Sequence, residues 1–338
     1  MEKEVSFGII GCGVVAKDHA EAITNTEEAK LIAVVDIDEK KGKEFAKKYQ
    51  TNFYRDYRDL LALKEIEAVD VCTPSYLHAP ISIDTAKAGK HVFVEKPIAI
   101  NLKQADELIV ACRQAKVKLA VVFQTRFSES LQKVKRLFKE RKMGRMILAD
   151  FSIKTYRSEQ YYQSWHKKIE FEGGGLMIQQ GIHGIDRLQW LMGEVDSVFA
   201  FKDTIIHNIE GEDIIVATVK FRNGALGSIE GSTSIHCERP DPLYTESMGL
   251  YGENGSINLM ETKIVEWNLR ENQEPESLEV PVELTQGRLS QVKDFIGAIR
   301  GDKEPLVNGE EARKSLEIVI ALYKSAKEGR LVKLPLSQ

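Results

Sequence analysis

The sequence has few cysteines, and they are widely spaced. Cys12, Cys72, Cys112 and Cys237 form no Cys-x-x-Cys pair, which argues against both a zinc site and a disulfide framework. No apolar run approaches the ~20 residues that a membrane-spanning helix needs. The first four residues run directly into an apolar segment, so we expect no signal peptide. These absences predict a cytoplasmic protein without a membrane partner.

The sequence also lacks an excess of basic residues. The formal net charge is -4, and charges of both signs alternate along the chain. We therefore expect no nucleic-acid partner, because non-specific attraction to nucleic acid needs a basic face. A length of 338 residues with 43% hydrophobic residues can instead bury the cores of two domains.

The first ~125 residues alternate short apolar segments with helical segments. The predicted strands are Val5–Ile10, Leu31–Val35, Ala68–Cys72, His91–Val94 and Leu119–Phe123. The predicted helices are 14–24, 40–49, 57–62, 81–88 and 102–114. This alternation predicts a Rossmann domain over residues 1–124, an α/β fold with a doubly wound parallel sheet.

Longer strands follow one another in the second part of the chain. They are predicted at 146–155, 197–201, 214–221, 225–235, 249–251, 256–259 and 264–269. Asn223-Gly224 and Asn254-Gly255 favour tight hairpins, and the succession suggests an antiparallel meander. In a closing helix, Leu316, Val319, Ile320 and Tyr323 recur at core-facing spacing.

We therefore predict a C-terminal α+β domain over residues 125–338 with an open, mostly antiparallel sheet. This domain is expected to bind the substrate and to mediate oligomerisation. Since an exposed apolar sheet face needs a cover, we expect the open sheet to pack against another subunit in a homo-oligomer, either a dimer or a tetramer.

A glycine turn links the first strand to the first helix. Gly11 permits the tight turn, Gly13 lets the main chain approach a pyrophosphate, and Ala16 allows close packing of helix and strand. Val14 and Val15 open the helix, whose free N–H groups favour an anion. The pattern predicts a dinucleotide site formed in part by these residues.

Asp36 ends the second strand, where an acidic side chain can bind the adenosine ribose hydroxyls. A carboxylate there would repel a 2′-phosphate, which favours NAD(H) over NADP(H). The alternative is an ordinary turn residue at the end of a strand. Lys40 and Lys41 lie close enough in sequence to soften the preference.

Three further segments accompany the glycine turn. They are Cys72-Thr73-Pro74-Ser75-Tyr76-Leu77-His78, Glu95-Lys96-Pro97, and Gly173-Gly174-Gly175 continuing to Gly181-Ile182-His183-Gly184-Ile185-Asp186. With these segments the whole chain resembles the Gfo/Idh/MocA family of glucose–fructose oxidoreductase, inositol dehydrogenase and rhizopine-catabolism relatives. The resemblance implies NAD(P) and reversible hydride transfer between an alcohol and a ketone of a sugar, sugar acid or cyclitol.

The resemblance also implies residue roles. Lys96 matches the lysine near the reacting carbon, and His183 matches the histidine of the glycine-helix motif. Thr73, Pro74 and His78 match the loop under the nicotinamide half of the cofactor. Glu95 and Lys96 are expected at the cofactor as well.

Reasoning from the residues agrees with these roles. Lys96 follows an apolar strand, so it lies at the carboxyl edge of the sheet, where ligands bind. A lysine there can accept the alcohol proton and can polarise the carbonyl in the reverse reaction. A surface ion pair with Glu95 is the alternative. His183 is the second catalytic candidate, and an ordinary core histidine is its alternative.

One position departs from the family pattern. Four residues before the histidine the family usually carries Asp or Asn, whereas this chain has Gln179. A glutamine cannot ionise, but it can still bind a sugar hydroxyl. Spacing predicts that residues 179, 183 and 186 share one helical face, with Asp186 orienting His183 or capping nearby main chain.

Further candidates lie in loops. Gln124 is expected at the cofactor, and Arg126, Tyr156, Trp165 and Gln179 are expected at the substrate. Tyr161, Tyr162 and His166 lie in the same loop as Trp165 and suit contact with a sugar ring. His236 and Arg239, in the loop after a long strand, suit an anionic group. We expect no metal site, because His, Asp and Glu do not cluster at ligand spacing.

These observations predict an NAD(P)-dependent dehydrogenase or reductase that acts on CH–OH groups, with Lys96 and His183 as its acid/base pair. A dinucleotide-binding regulatory or sensor protein of the same fold, without turnover, is the alternative. Imine or enone reduction on the same scaffold is a third hypothesis, which only substrate screening separates from the first.

Overall fold

A computed structural model describes residues 4–235, 246–270 and 284–337. The chain forms two compact units. Unit 1 comprises the described residues within 1–127 and 283–313, and unit 2 those within 128–282 and 314–338. Among the described residues, no helix is long and apolar enough to cross a membrane.

Unit 1 is built on a parallel sheet with the strand order β3-β2-β1-β4-β5-β6. Its strands are β1 (Val5–Ile10), β2 (Ala29–Val35), β3 (Asn52–Tyr54), β4 (Ala68–Val71), β5 (His91–Val94) and β6 (Leu119–Val121). The order reverses between β1 and β4, which pair directly. In such sheets the ligand crevice lies at this reversal, at the carboxyl ends of the strands. The predicted Rossmann fold is confirmed.

The helices of unit 1 begin and end where the sequence supplies caps. Asp38, Asp56 and Asn101 each accept a main-chain N–H of the helix that follows, as good N-cap residues do. The helices are α1 (Val14–Thr24), α2 (Glu39–Tyr49), α3 (Tyr57–Leu61), α4 (His78–Lys87), α5 (Leu102–Ala115) and α10 (Leu284–Arg300).

Helix α10 completes the core of unit 1, although it lies far along the sequence. The Phe295 ring lies 5.3 Å from Phe93 and 6.3 Å from Phe7. Val292 and Ile296 are buried in the same cluster. Each fully buried side chain of this kind contributes about 1.5–3 kcal/mol.

The sequence predicted a single boundary after residue 124. In the structure the first segment runs to Phe127, and the 283–313 segment belongs to unit 1. The reason is the packing of α10, a long-range contact that spacing along the chain does not reveal.

Unit 2 contains a sheet with the strand order β13-β12-β11-β7-β10-β9-β8-β14. Its strands are β7 (Met146–Lys154), β8 (Val195–Asp203), β9 (Ile214–Phe221), β10 (Leu226–Ser232), β11 (Glu246–Gly252), β12 (Gly255–Met260), β13 (Lys263–Leu269) and β14 (Val332–Lys333). The mostly antiparallel sheet is confirmed. A simple meander is wrong, because β7 lies between β10 and β11 and pairs with β10 in parallel.

Unit 2 also contains helices, and the one over Ile182–Met192 packs against strands β7 and β11. The helices are α6 (Glu129–Lys139), α7 (Glu159–Tyr162), α8 (Ile169–Glu172) and α9 (Ile182–Met192). Helix α11 (Gly309–Glu328) begins in unit 1 and continues into unit 2. Leu316 and Val319 of its predicted apolar stripe are fully buried. Close packing between α9 and β7 explains why residue 184 is a glycine. A Cβ at this position would lie 2.0 Å from the Phe151 ring.

Candidate active site

The turn between β1 and α1 has the geometry of an anion site. Gly11 has φ +95, and a Cβ on it would lie 2.7 Å from the Cys72 carbonyl oxygen, so only glycine fits. A Cβ on Gly13 would meet nothing within 4 Å. No side chain caps the helix that Gly13 precedes. Its first N–H groups are therefore left for an external acceptor.

The Asp36 side chain holds the main chain of the glycine turn and of the segment after β2. Its carboxylate accepts the main-chain N–H of Cys12 at 2.9 Å and that of Asp38 at 2.9 Å. Lys41 Nζ lies 3.8 Å from the same carboxylate. Burial, and then the charge of Asp36, raise the pKa of the Cys12 thiol to about 12. A thiol that stays neutral is a poor nucleophile.

The segment after β4 carries Thr73 and Pro74 in a loop and His78 at the first position of α4. The Thr73 hydroxyl is buried and has no hydrogen-bond partner among the described residues. The His78 ring lies between two carbonyl oxygens, 2.7 Å from Pro97 O and 2.8 Å from Thr73 O. Burial lowers the pKa of His78, although both carbonyls favour the protonated ring. His78 thus ties the loop to the segment that follows β5.

Lys96 follows β5 at the carboxyl edge of the same parallel sheet. Its side chain is half-buried, and its main-chain N–H donates to Glu95 Oε2 at 3.0 Å. The Lys96–Pro97 peptide bond is cis. Lys96 therefore shares its sheet edge with the glycine turn and the Thr73 loop, as the sequence predicted.

A buried charged cluster behind Lys96 was missed by sequence reasoning. Nδ1 of His19 lies 2.7 Å from Asp70 Oδ2, and Nε2 lies 2.9 Å from Glu95 Oε1. Arg288 approaches Glu95 at 3.7 Å. A signal was present in the sequence, since Asp70 interrupts an apolar strand and His19 lies on the buried face of α1.

One subset of this cluster has atoms close enough to hold a metal ion. The ligand atoms of His19, Asp70 and Cys72 lie within 4.8 Å of one another, a proximity that sequence spacing did not indicate. Both ring nitrogens of His19 already face carboxylate oxygens, however. This is the geometry of an ion-paired imidazolium, whereas a metal ligand needs a free ring nitrogen.

In unit 2 the glycine-rich motif forms a tightly packed helix start. Glu212 accepts the main-chain N–H groups of Gly175 at 3.0 Å and Met177 at 2.9 Å. The Tyr323 hydroxyl donates to Glu212 at 2.7 Å and accepts the Ile178 N–H at 3.2 Å. A Cβ on Gly175 would lie 2.3 Å from the Glu212 carbonyl oxygen. The glycine here is required by packing.

The turn that leads into α9 is a π-helical segment, Met177–Gly181. Gln179 lies within it and is buried, whereas His183 is the second residue of α9 and is half-buried. The predicted shared face of residues 179, 183 and 186 assumed regular α-helical spacing. That assumption is wrong for Gln179, because a π turn has more residues per turn.

Asp186 is fully buried in unit 2. It accepts a hydrogen bond from the Ser315 hydroxyl at 2.8 Å. Its proposed effect on His183 stays a prediction.

The loop between β7 and α9 is organised by aromatic stacking. The His166 ring stacks on Tyr161 at 4.2 Å and lies 3.9 Å from the Trp165 ring. His166 also pairs with the buried carboxylate of Glu172, whose carbonyl accepts a 3.5 Å hydrogen bond from Gln179 Nε2. Trp165 and Gln179 are thus linked through neighbouring residues of one unit.

Two other members of this loop face His207. Tyr156 is exposed, with its ring 6.3 Å from His207, and Tyr162 is buried, with its ring 4.7 Å from the same histidine. His236 and Arg239 lie outside the described residues.

Gln124 and Arg126 lie in one short turn after β6. The Gln124 side-chain oxygen is buried, and within the part of the chain that the structure describes it has no hydrogen-bond partner. Arg126 is fully buried and pairs with Glu311 at 3.0 Å. This describes a structural ion pair, so the predicted substrate contact of Arg126 stays a prediction.

The residues of unit 1 fit a dinucleotide. Open space at Gly13, uncapped N–H groups at α1 and an anchored Asp36 suit the pyrophosphate and the ribose. Val14 and Ile37 are 88% and 84% exposed, and such apolar side chains suit the faces of an adenosine. The unpartnered oxygens of Thr73 and Gln124 can bind polar groups of the same ligand. Together the fold and this edge define a dinucleotide-binding domain.

The comparison with known families agrees. The family model GFO_IDH_MocA, described as "Oxidoreductase family, NAD-binding Rossmann fold", matches residues 5–123. Its partner, described as "C-terminal alpha/beta domain", matches residues 135–334. The chain belongs to the Gfo/Idh/MocA oxidoreductase family, as the sequence motifs predicted. The predicted NAD cofactor and dehydrogenase or reductase class are confirmed with it.

Similar proteins support the same class. Myo-inositol 2-dehydrogenase of Thermotoga maritima is 29% identical over 97% of this chain and 98% of its own length. The WlbA dehydrogenase of Bordetella pertussis, solved with NADH and UDP-GlcNAcA, is 31% identical, covers 100% and 99% of the two chains and has a TM-score of 0.90. The Chromobacterium violaceum WlbA structure, with the same two ligands, is 34% identical, covers 100% and 98%, and has a TM-score of 0.90.

Proposed function

We propose that this protein transfers a hydride between NAD(H) and a secondary alcohol or ketone of a sugar, sugar acid or cyclitol. Lys96 carries the proposal, because it lies at the sheet edge that also holds the glycine turn. NAD, when bound, supplies the hydride acceptor or donor. The protein must then bind the alcohol, orient it, and accept its proton.

Lys96 is the proposed acid/base group. Its main chain is fixed by the Glu95 carboxylate, and its four-carbon side chain is half-buried. An amine in this position accepts the hydroxyl proton in oxidation and returns it in reduction. Positioned acid/base catalysis of this kind contributes about 10²–10⁴-fold in rate.

His183 is the proposed second member of the acid/base pair, on the family resemblance and on its place at the start of α9. Its helix is anchored by Glu212 and Tyr323, which suits a residue whose position must be reproducible. We propose Gln179, Tyr156 and Trp165 as substrate-binding residues. The amide of Gln179 can bind a hydroxyl but cannot supply a charge.

The proposed substrate class starts from the relatives. Two solved neighbours above 30% identity were bound to UDP-GlcNAcA, and a curated relative is named for myo-inositol. We propose a sugar acid, free or nucleotide-linked, as the first class to test, with cyclitols second.

NADH formation is measured with the full-length chain, NAD+ and a panel that contains UDP-GlcNAcA, free uronic acids, aldoses and myo-inositol. We expect turnover with at least one compound. Lys96→Met should lower kcat by about 10²–10⁴-fold with little change in NAD+ affinity. Lys103→Met is the matched control, because Lys103 is an exposed lysine of the same unit. Full activity in Lys96→Met would contradict the assigned role.

The non-catalytic alternative gives a different result in the same experiment. Gln179 favours it, because this side chain cannot ionise where relatives usually carry Asp or Asn. A chain that binds NADH in a fluorescence titration but turns over no compound of the panel would be a dinucleotide-dependent sensor.

We further propose that the outer face of the unit 2 sheet forms a homo-oligomer interface in the cytoplasm. Support comes from apolar side chains that point away from the helices of this unit. Phe201 is 68% exposed and packs edge-on against Phe199. Val216 pairs with Phe201 across the strands and is also exposed.

A further inference from the structure

The carboxylate of Glu95 connects a buried charged cluster to Lys96. Oε2 accepts the Lys96 main-chain N–H at 3.0 Å. Oε1 lies 2.9 Å from Nε2 of His19 and 3.7 Å from Arg288. One carboxylate oxygen thus binds the main chain of Lys96, and the other faces the cations His19 and Arg288.

The surroundings of His19 require a protonated ring. Its two nitrogens each face a carboxylate oxygen, at 2.7 Å from Asp70 and 2.9 Å from Glu95. A carboxylate only accepts hydrogen bonds, so both nitrogens must carry a proton. Burial disfavours the charged ring, but the combined effects of Asp70 and then Cys72 outweigh it, and the pKa of His19 is raised well above its ordinary 6.5.

The same balance holds Glu95 ionised. Burial alone would raise its pKa, but the hydrogen bond and charge of His19, then Arg288 and Lys96, lower it well below the usual range. Two buried carboxylates, Asp70 and Glu95, therefore face two cations, His19 and Arg288. Unpaired buried charges are costly, so the four groups depend on one another.

Other ionisable groups complete the surroundings. Cys72 contacts Asp70 at 3.4 Å, and burial raises the pKa of its thiol to about 12, so it stays neutral. Asp18 pairs with the far side of Arg288 at 3.1 Å. His78, whose pKa is lowered by burial, lies where the charges of both Glu95 and Lys96 reach it.

We propose that Glu95 is a positioning residue for Lys96, and that His19 and Arg288 hold its carboxylate ionised and oriented for this purpose. The carboxylate fixes the main chain from which the lysine side chain extends. Its negative charge also favours the protonated amine of Lys96. This inference rests on the proposed acid/base role of Lys96 and adds three residues that sequence motifs did not assign to it.

The first test measures the Lys96 amine directly. The full-length chain is acetylated briefly with acetic anhydride across a pH series, and mass spectrometry follows the peptide that contains Lys96. Only the neutral amine reacts, so the profile has a midpoint. Glu95→Gln keeps the shape of the side chain but removes its charge. We expect the midpoint to fall by about one pH unit.

Lys90→Gln is the matched control. Lys90 is also buried, and its Nζ donates to the carbonyl oxygens of Leu63 at 2.7 Å and Ile66 at 2.8 Å. It precedes β5, whereas Glu95 follows it. Loss of Lys90 disturbs the opposite end of the strand and should leave the Lys96 midpoint where it is in the wild type.

An unchanged Lys96 midpoint in folded Glu95→Gln would overturn the proposal. Because acetylation needs no substrate, this result is independent of turnover. A lowered midpoint in a chain that turns over no compound of the panel would support the role of Glu95 while contradicting the proposed function.

A second measurement needs only the wild-type chain, in case Glu95→Gln does not fold. Nitrogen-15 NMR of histidine-labelled protein reports the protonation of each ring. We expect the His19 ring, assigned by its loss in His19→Asn, to keep both N–H groups at pH 8, above the ordinary pKa of 6.5. A neutral His19 ring at pH 8 would overturn the proposed holding of Glu95.

Discussion

Asp36 ends strand β2 with its carboxylate held by two main-chain N–H groups, those of Cys12 and Asp38. These bonds orient the carboxylate before any ligand arrives, so little ordering is left for binding. The same charge that attracts ribose hydroxyls repels a phosphate on the 2′ position. We therefore propose that this one side chain both stabilises the glycine turn and selects the cofactor.

Asp36→Ser should weaken NADH binding by about tenfold, since hydrogen bonds to a charged group contribute about 1.5–3 kcal/mol. NADPH binding should improve relative to NADH, because the repulsion is removed. Fluorescence titration with both cofactors measures the ratio. Asp38→Ser is the control, because Asp38 caps α2 through the N–H groups of Lys40 and Lys41. An NADPH-to-NADH ratio equal in wild type and Asp36→Ser would argue against selection by Asp36.

At the level of elements, the glycine-rich segment that leads into the helix of His183 is held in place by several hydrogen bonds. The first free N–H groups of a helix need acceptors, and here Glu212 and Tyr323 supply them from two distant parts of the chain. Burial raises the pKa of Glu212 despite these bonds. The widened π turn follows directly, so the anchor determines where α9 begins.

Tyr323→Phe removes one hydroxyl and leaves buried partners unsatisfied, which should lower the free energy of unfolding of unit 2 by about 1–3 kcal/mol. Hydrogen exchange over residues 175–183 should become faster. Tyr57→Phe is the control in unit 1, where the hydroxyl donates to half-buried Asp84 at 2.7 Å and water can replace it. Unchanged exchange over 175–183 in Tyr323→Phe would show that Glu212 alone anchors the helix.

At the level of the whole molecule, the central strands of unit 1 are buried on both faces, whereas the sheet of unit 2 leaves one face exposed. Large exposed apolar patches on a soluble chain mark interaction surfaces. Leu148 and Leu226 pair across β7 and β10, and both are exposed. They extend the face that Phe201 and Val216 begin.

Light scattering should give a mass at least twice the 38.1 kDa of one chain at micromolar concentration. Phe201→Lys should shift the mass toward that of the monomer, because a buried unpaired charge is costly in an apolar interface. Val110→Lys, at an exposed apolar position of unit 1, should leave the mass unchanged. A wild-type chain that is monomeric under these conditions would contradict the proposed interface.

Sequence reasoning succeeded where the signal is local. The bounds of β1 and α1 follow from an apolar run, a glycine turn and a periodic helix. The Asn-Gly turns likewise predicted the β9–β10 and β11–β12 hairpins. The short, partly exposed β3 has no such pattern and was missed.

The candidate site was predictable to the same degree. The glycine turn and Lys96 each follow from a motif whose own residues lie within a few positions of one another. The cluster of His19, Asp70, Glu95 and Arg288 joins four remote segments, and no periodicity records such pairing. The π turn was missed because its sequence is compatible with an ordinary helix.

Helix α10 packs in unit 1 although it is made late, and this has a consequence for folding during synthesis on the ribosome. The last residue assigned to unit 1, Arg313, is made 186 residues after Phe127, which takes roughly 10 to 40 s at 5–20 residues per second. Before α10 is made, β1 and β5 lack Phe295, and Glu95 lacks Arg288. During this time part of the apolar surface of the nascent first segment stays exposed to solvent. Chaperones would be needed in this period.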